Sequence, residues 1–182
     1  MKELNEYLDR VLVSKEDIQK MVSELGAKIT EDYKGEELFL IGVLKGGFMF
    51  LADLVREIKI PVEMDFIAVS SYGSSTKSSG IVQLIKDVDV PLSGNHVIIV
   101  EDIIDTGLTL TYLKEMLAAR NPLSVKICTA FDKPSRRKVD LKAEYTGITV
   151  PDEYVVGYGL DYDGILRNLP DLYVLDKKCY EK

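Results

Sequence analysis

Two cysteines, one histidine and no apolar run near the roughly 20 residues that cross a bilayer set the first limits on this chain. Cys128 in an apolar stretch and Cys179 near the end make no disulfide framework, which points to a reducing cytoplasm. The lone histidine, His96, has no partner for a metal or a nucleophile and reads as a surface residue. The first six residues hold no apolar signal region. Positive charge is in deficit. Lysine and arginine number 23 against 30 aspartates and glutamates, a net charge of −7, which argues against a nucleic-acid surface. In the one basic cluster, Lys133-Pro134-Ser135-Arg136-Arg137-Lys138, the two arginines and Lys138 read as a solvated loop, while Lys133 follows a strand end directly. Several nucleotide and metal motifs are missing too. There is no G-x-x-x-x-G-K-[ST] loop, and Gly157-Tyr158-Gly159 lacks the third glycine of a dinucleotide fingerprint. Asp161-Tyr162-Asp163-Gly164 begins like a calcium loop, but Leu166 and Leu172 stand where that loop needs Gly and Glu.

What remains is an ordinary globular composition. The 182 residues, 46% hydrophobic, predict a single domain over 1–182 with no repeat and no linker. Ser14-Lys15-Glu16-Asp17 resembles a capping box with Asp in place of Glu, and Ile18, Met21, Val22, Leu25 and Ile29 follow helical spacing to about residue 33. Strands are expected at 38–44, 62–69, 81–85, 97–100 and 125–131. Helices are expected from Phe48 to Ile58 and over 109–120, and short strands and turns over the last fifty residues. Strand–helix alternation of this kind predicts an α/β fold with a mainly parallel sheet flanked by helices.

The densest chemistry lies in Val97-Ile98-Ile99-Val100-Glu101-Asp102-Ile103-Ile104-Asp105-Thr106-Gly107-Leu108-Thr109-Leu110. Four β-branched residues make a buried strand that ends on two carboxylates. A small loop and a helix start follow, the place where open α/β sheets bind ligands. Thr106 to Thr109 should offer N–H groups and hydroxyls to a phosphate monoester at a helix N-terminus, with Gly107 allowing close approach. Glu101 and Asp102 suit a diol, a Mg²⁺ ion, or both. A phosphate and a diol on one ligand describe a ribose 5-phosphate, with Asp105 between them free to act on what bonds to the sugar. A helix cap alone would explain one acid and one hydroxyl, not three carboxylates and two threonines in nine residues.

This run resembles the phosphoribosyl pyrophosphate (PRPP) signature of the type I phosphoribosyltransferases. Other segments narrow the resemblance to the hypoxanthine-guanine phosphoribosyltransferases of bacterial type. They are Leu44-Lys45-Gly46-Gly47, Ser70-Ser71-Tyr72-Gly73, Asp132-Lys133-Pro134-Ser135-Arg136, and Tyr154-Val155-Val156-Gly157-Tyr158-Gly159-Leu160-Asp161-Tyr162, with Arg167 beyond. They stand in the family's order over residues 41–167. One departure is Leu108, at a position that is basic in some members.

The resemblance implies a Mg²⁺-dependent transfer from PRPP to hypoxanthine or guanine, giving IMP or GMP and pyrophosphate. It implies a flexible hairpin lid near 70–80 and a base-binding hood of short strands over about 140–182. Glu101 and Asp102 would hold the ribose hydroxyls and Mg²⁺, and Thr106, Gly107, Leu108 and Thr109 the 5-phosphate. Lys45, Gly46, Ser71, Tyr72 and Arg167 would meet pyrophosphate, with a cis peptide at Leu44–Lys45. Tyr154 would stack on the purine, the Val155 backbone would meet its Watson–Crick edge, and Lys133 would donate to the 6-oxo group. Asp161, also counted among the purine-binding residues, would hold a second Mg²⁺ through the pyrophosphate side, and Asp105 would take or share the N7 proton. A homodimer or homotetramer in the cytoplasm is the family habit. The competing reading is a PRPP-sensing regulator that binds nucleic acid, but it lacks a basic surface or an added winged helix.

Overall fold

The computed structural model describes residues 3–71 and 82–180. Its centre is a six-stranded sheet built from β2 (Leu38–Leu44), β3 (Val62–Ser71), β4 (Val82–Lys86), β5 (His96–Ile104), β6 (Ser124–Asp132) and β7 (Tyr145–Thr149), in the order β4-β3-β2-β5-β6-β7. All neighbours are parallel except β4, which returns antiparallel to β3. Helices α1 (Lys15–Asp32) and α2 (Phe48–Glu57) cover one face and α3 (Leu108–Ala118) the other. Side chains alternate along a strand, so Leu38, Leu40, Ile98 and Val100 pack with α1 and α2, while Phe39, Ile41, Val97 and Ile99 pack with α3. Burial on both faces is why β2 and the start of β5 read as unbroken apolar runs.

The helix starts follow their sequence signals. The Asp17 N–H donates to Ser14 Oγ at 3.1 Å. The shorter Asp17 side chain meets the Ser14 hydroxyl at 2.7 Å, where a glutamate would reach the backbone. At α3, Gly107 is the cap residue with φ of +83°. A Cβ there would meet Val139 Cγ2 at 2.9 Å, so backbone and space both call for glycine.

The structure adds two things. β1 (Leu8–Val13) was not expected. Only Val13 in it is buried, so it shows no alternation. It joins β9 (Leu172–Leu175) and β8 (Val155–Val156) in a small antiparallel sheet, the hood. β7 lies in the large sheet. And β5 does not end at the carboxylates but runs through them to Ile104, paired with β6 as far as Ile104 opposite Asp132.

β3 and β4 pair from Ala68 opposite Lys86 to Ser71 opposite Val82, the two legs of the expected hairpin. The exit leg is tied down. Lys86 Nζ donates to Asp65 Oδ1 at 3.0 Å, and Arg120 grips both oxygens of Asp87 at 2.8 Å, holding that carboxyl below its usual range. The lid tip with Tyr72, and the Ser71 side chain, lie outside the described residues. Among the described residues no helix is long and apolar enough to cross a membrane.

Candidate active site

The sheet order reverses between β2 and β5, and ligands of such sheets bind in the crevice outside those carboxyl ends. Both expected segments arrive there. From β2 comes the turn Leu44-Lys45-Gly46-Gly47, with the Leu44–Lys45 peptide cis. From β5 come Glu101 and Asp102, and from the loop just past its end Asp105. The two segments touch so closely that a Cβ on Gly46 would lie 1.5 Å from Asp102 Oδ2.

Asp102 is buried and Glu101 partly so. The Asp102 N–H donates to Glu101 Oε1 at 3.1 Å, and the Ile103 N–H to Asp102 Oδ1 at 2.7 Å. Burial pushes the titration of this pair upward, Glu101 most, and the neighbouring Asp102 charge adds to the rise at Glu101. Two adjacent acids at a strand end invite a cation or a diol. Among the described residues no three acids, cysteines or histidines are placed to share one metal ion. Mg²⁺ typically takes one or two carboxylates and completes its shell from substrate and water, so this donor set fits it.

Glu101, Asp102, Asp105, Thr106, Gly107, Thr109 and Gly46 line a cavity of about 250 Å³. The first turn of α3 opens on it with N–H groups that have no partner within the helix. Beside it lies a larger cavity of about 950 Å³, where Lys133, Tyr154, Val155 and Asp161 come together. Ile103 and Asp105 line both, so Asp105 stands at the junction. Lys45, Leu108 and Arg167 line neither.

Lys133 is buried, and its Nζ donates to the Glu153 carbonyl at 2.6 Å. Burial lowers its titration, while the charges of Asp105 and Asp152 oppose that shift. Arg167 donates to the Gly159 carbonyl at 2.6 Å and pairs with Asp161, whose Oδ2 accepts from the Gly164 N–H at 2.7 Å. The positive charge of Arg167 also reaches Asp102. The Tyr154 ring is stacked by Tyr180 at 5.4 Å and met edge-on by Tyr162 at 6.0 Å. Tyr180 carries no sequence motif.

The basic cluster corrects the expectation of a solvated loop at Arg136 and Arg137. Arg136 Nε donates to Asp105 Oδ1 at 3.0 Å. Arg137 donates to the Asp105 carbonyl at 2.7 Å and pairs with Asp132, largely out of solvent. Main-chain bonds lock the same two loops together, Lys133 N–H to Ile104 O at 2.9 Å and Lys138 N–H to Thr106 O at 3.0 Å. His96, expected at the surface, is half-buried, with Nδ1 2.8 Å from Ser124 Oγ at the far end of the sheet.

Residues 12–163 match the model of the phosphoribosyl transferase domain. The chain is 53% identical over 174 residues to the hypoxanthine-guanine phosphoribosyltransferase of Bacillus subtilis, covering 96% of this chain and 97% of that protein. To the hypoxanthine-guanine phosphoribosyltransferase of Streptococcus thermophilus it is 49% identical over 179 residues, covering 98% and 99%. The crystal structure of a hypoxanthine phosphoribosyltransferase from Staphylococcus aureus matches it with a TM-score of 0.94 at 46% identity, covering 98% of this chain and 96% of that one.

Proposed function

The chain belongs to the phosphoribosyltransferase family, and within it to the hypoxanthine-guanine phosphoribosyltransferases, and from that premise we propose how its residues divide the reaction. The activity is purine salvage: the 5-phosphoribosyl group passes from PRPP to hypoxanthine or guanine, giving IMP or GMP and pyrophosphate. The observation that carries the division is the meeting of two cavities at Asp105, one lined by acids and a helix N-terminus, the other by Lys133 and Tyr154. A nucleic-acid-binding regulator finds no support in the relatives or in the net charge of −7.

The 5-phosphate rests on the loop from Thr106 to Thr109, held by N–H groups and the two hydroxyls. Glu101 and Asp102 take the ribose hydroxyls and would hold Mg²⁺ with them, and Asp161 would hold a second ion once it parts from Arg167. The chemistry such an ion supplies is positive charge against the leaving pyrophosphate. Lys45, the Gly46 N–H and Arg167 receive that pyrophosphate, as Ser71 and Tyr72 do from the lid. The purine stacks on Tyr154, sets its Watson–Crick edge on the Val155 backbone and offers its 6-oxo group to Lys133. Cleavage at the anomeric carbon builds positive charge on the sugar, as in glycoside chemistry. Asp105 draws the N7 proton so that N9 attacks as a stronger nucleophile. Holding both substrates in line supplies much of the rest. The two cysteines are unpaired, which fits a reducing cytoplasm, and assembly as a homodimer or homotetramer belongs to the same reading.

The activity is checked by supplying PRPP and Mg²⁺ with each base in turn and measuring nucleotide and pyrophosphate formed. The sugar site is checked by Glu101→Gln with Asp102→Asn. Calorimetry should show weakened binding of PRPP in the presence of Mg²⁺, with the fold intact by circular dichroism. Unchanged affinity would remove the acids from the sugar site. Gly46→Ala tests the contact between the two segments. The added Cβ has to displace the Asp102 carboxylate, and a misplacement near 1 Å costs up to about 10²-fold. A loss of that order in kcat/KM for PRPP is expected, with Tm shifted by only a few degrees.

A further inference from the structure

An acid that draws a proton from a bound purine must hold one orientation. The loop carrying Asp105 does not provide it alone. Its carboxylate is met from another segment, by Arg136 Nε at Oδ1, 3.0 Å away. Arg136 closes the short 3-10 turn Pro134–Arg136, and its N–H donates to the Lys133 carbonyl at 3.1 Å. Pro134 fixes the backbone angle at the start of that turn. Lys133 and Arg136 therefore sit three positions apart on one stiff piece of chain, and both line the larger cavity. On a purine, the 6-oxo oxygen and N7 are neighbours on one edge. A single turn thus carries both the ammonium beside position 6 and the guanidinium beside the acid that serves N7.

We infer that Arg136 is a positioning residue for the transfer, holding Asp105 Oδ1 so that the carboxylate presents its other oxygen to the purine N7. This rests on the reading of Asp105 as the base. The other charges nearby do not do the same work. Arg137 bonds the Asp105 carbonyl and is paired with Asp132, so it fixes the loop and not the carboxylate. Lys133 feels the Asp105 charge but donates to the Glu153 carbonyl. Asp152, 3.8 Å from Arg136 Nε, competes for the same guanidinium. Arg136 is half-exposed, so shortening it opens no hole in the core and the fold should stand.

The test is a double-mutant cycle with Arg136→Gln, Arg136→Lys, Asp105→Asn and the pair Arg136→Gln with Asp105→Asn. Arg136→Gln should lower kcat roughly ten- to a hundredfold, with KM for PRPP and Tm nearly unchanged. Arg136→Lys, which keeps a charged donor, should recover part of the loss. In the Asp105→Asn background, Arg136→Gln should cost nothing further, because there is no longer a base to orient. The inference is overturned if Arg136→Gln leaves kcat intact, raises KM for PRPP instead, or costs the same factor in both backgrounds. Failure of the underlying reading looks different: Asp105→Asn alone would then retain full kcat.

Discussion

Asp105→Asn should lower kcat by about 10²-fold or more, the usual scale for losing a general base, while KM for PRPP changes little. The substitution keeps the size of the side chain. An asparagine oriented with its oxygen toward Arg136 still accepts the bond that the Oδ1 of Asp105 accepts at 3.0 Å, so the loop should hold its shape. The main chain is fixed independently through Arg137 and the Lys133 and Lys138 N–H groups. What is lost is the capacity to take a proton. Steady-state kinetics with varied PRPP at saturating hypoxanthine separate the two quantities. A collapse of PRPP affinity with kcat preserved would make Asp105 a sugar ligand and not a base.

Base choice should be nearly as steep. Lys133 Nζ presents N–H donors to a desolvated pocket. A 6-oxopurine offers an acceptor there. Adenine offers an amino group, and two donors would face each other without water between them. Sites built for one hydrogen-bond pattern reject the mismatch by up to roughly 10⁴-fold. Hypoxanthine and guanine should therefore react, and adenine should be almost inert, when turnover of each is measured at equal PRPP. Lys133→Gln sharpens the test. The glutamine amide can still donate to the Glu153 carbonyl, which Lys133 reaches at 2.6 Å, while its own carbonyl accepts from the adenine amino group. Hypoxanthine turnover should fall and the gap to adenine should narrow. Adenine turnover by the unaltered enzyme within tenfold of hypoxanthine would show that Lys133 does not read position 6.

The parts of this site legible in the sequence share one property: their meaning is local. The strand of β5, its acids and the loop after it lie within fourteen consecutive residues, and buried parallel strands announce themselves as apolar runs. Ser14 and its neighbours likewise announce α1. The reach of β5 to Ile104 was hidden because Glu101 and Asp102 interrupt the apolar run although the backbone continues paired. β1 was hidden because an edge strand with one buried residue leaves no pattern. Arg136 reads as solvated because the acid it meets, Asp105, lies 31 positions away, and Arg137 because its contacts, the nearby Asp132 and the distant Asp105 carbonyl, close on it only in the fold. The stack of Tyr180 on Tyr154 joins two chain segments that only the hood brings together.

Lys133 already donates to the Glu153 carbonyl, and Arg167 to the Gly159 carbonyl and to Asp161. Neither cation waits bare for its ligand. In the proposed roles, arrival of a base or a pyrophosphate would trade one set of hydrogen bonds for another, and such an exchange yields little net affinity. Rejection survives the trade, since a mismatched base gives nothing back for the contact it disturbs. Retention does not, because the main-chain carbonyls stand ready to reclaim both side chains as the products leave. On those roles, the same contacts that would make the pocket choosy would also let it empty quickly, which suits a catalyst more than a receptor.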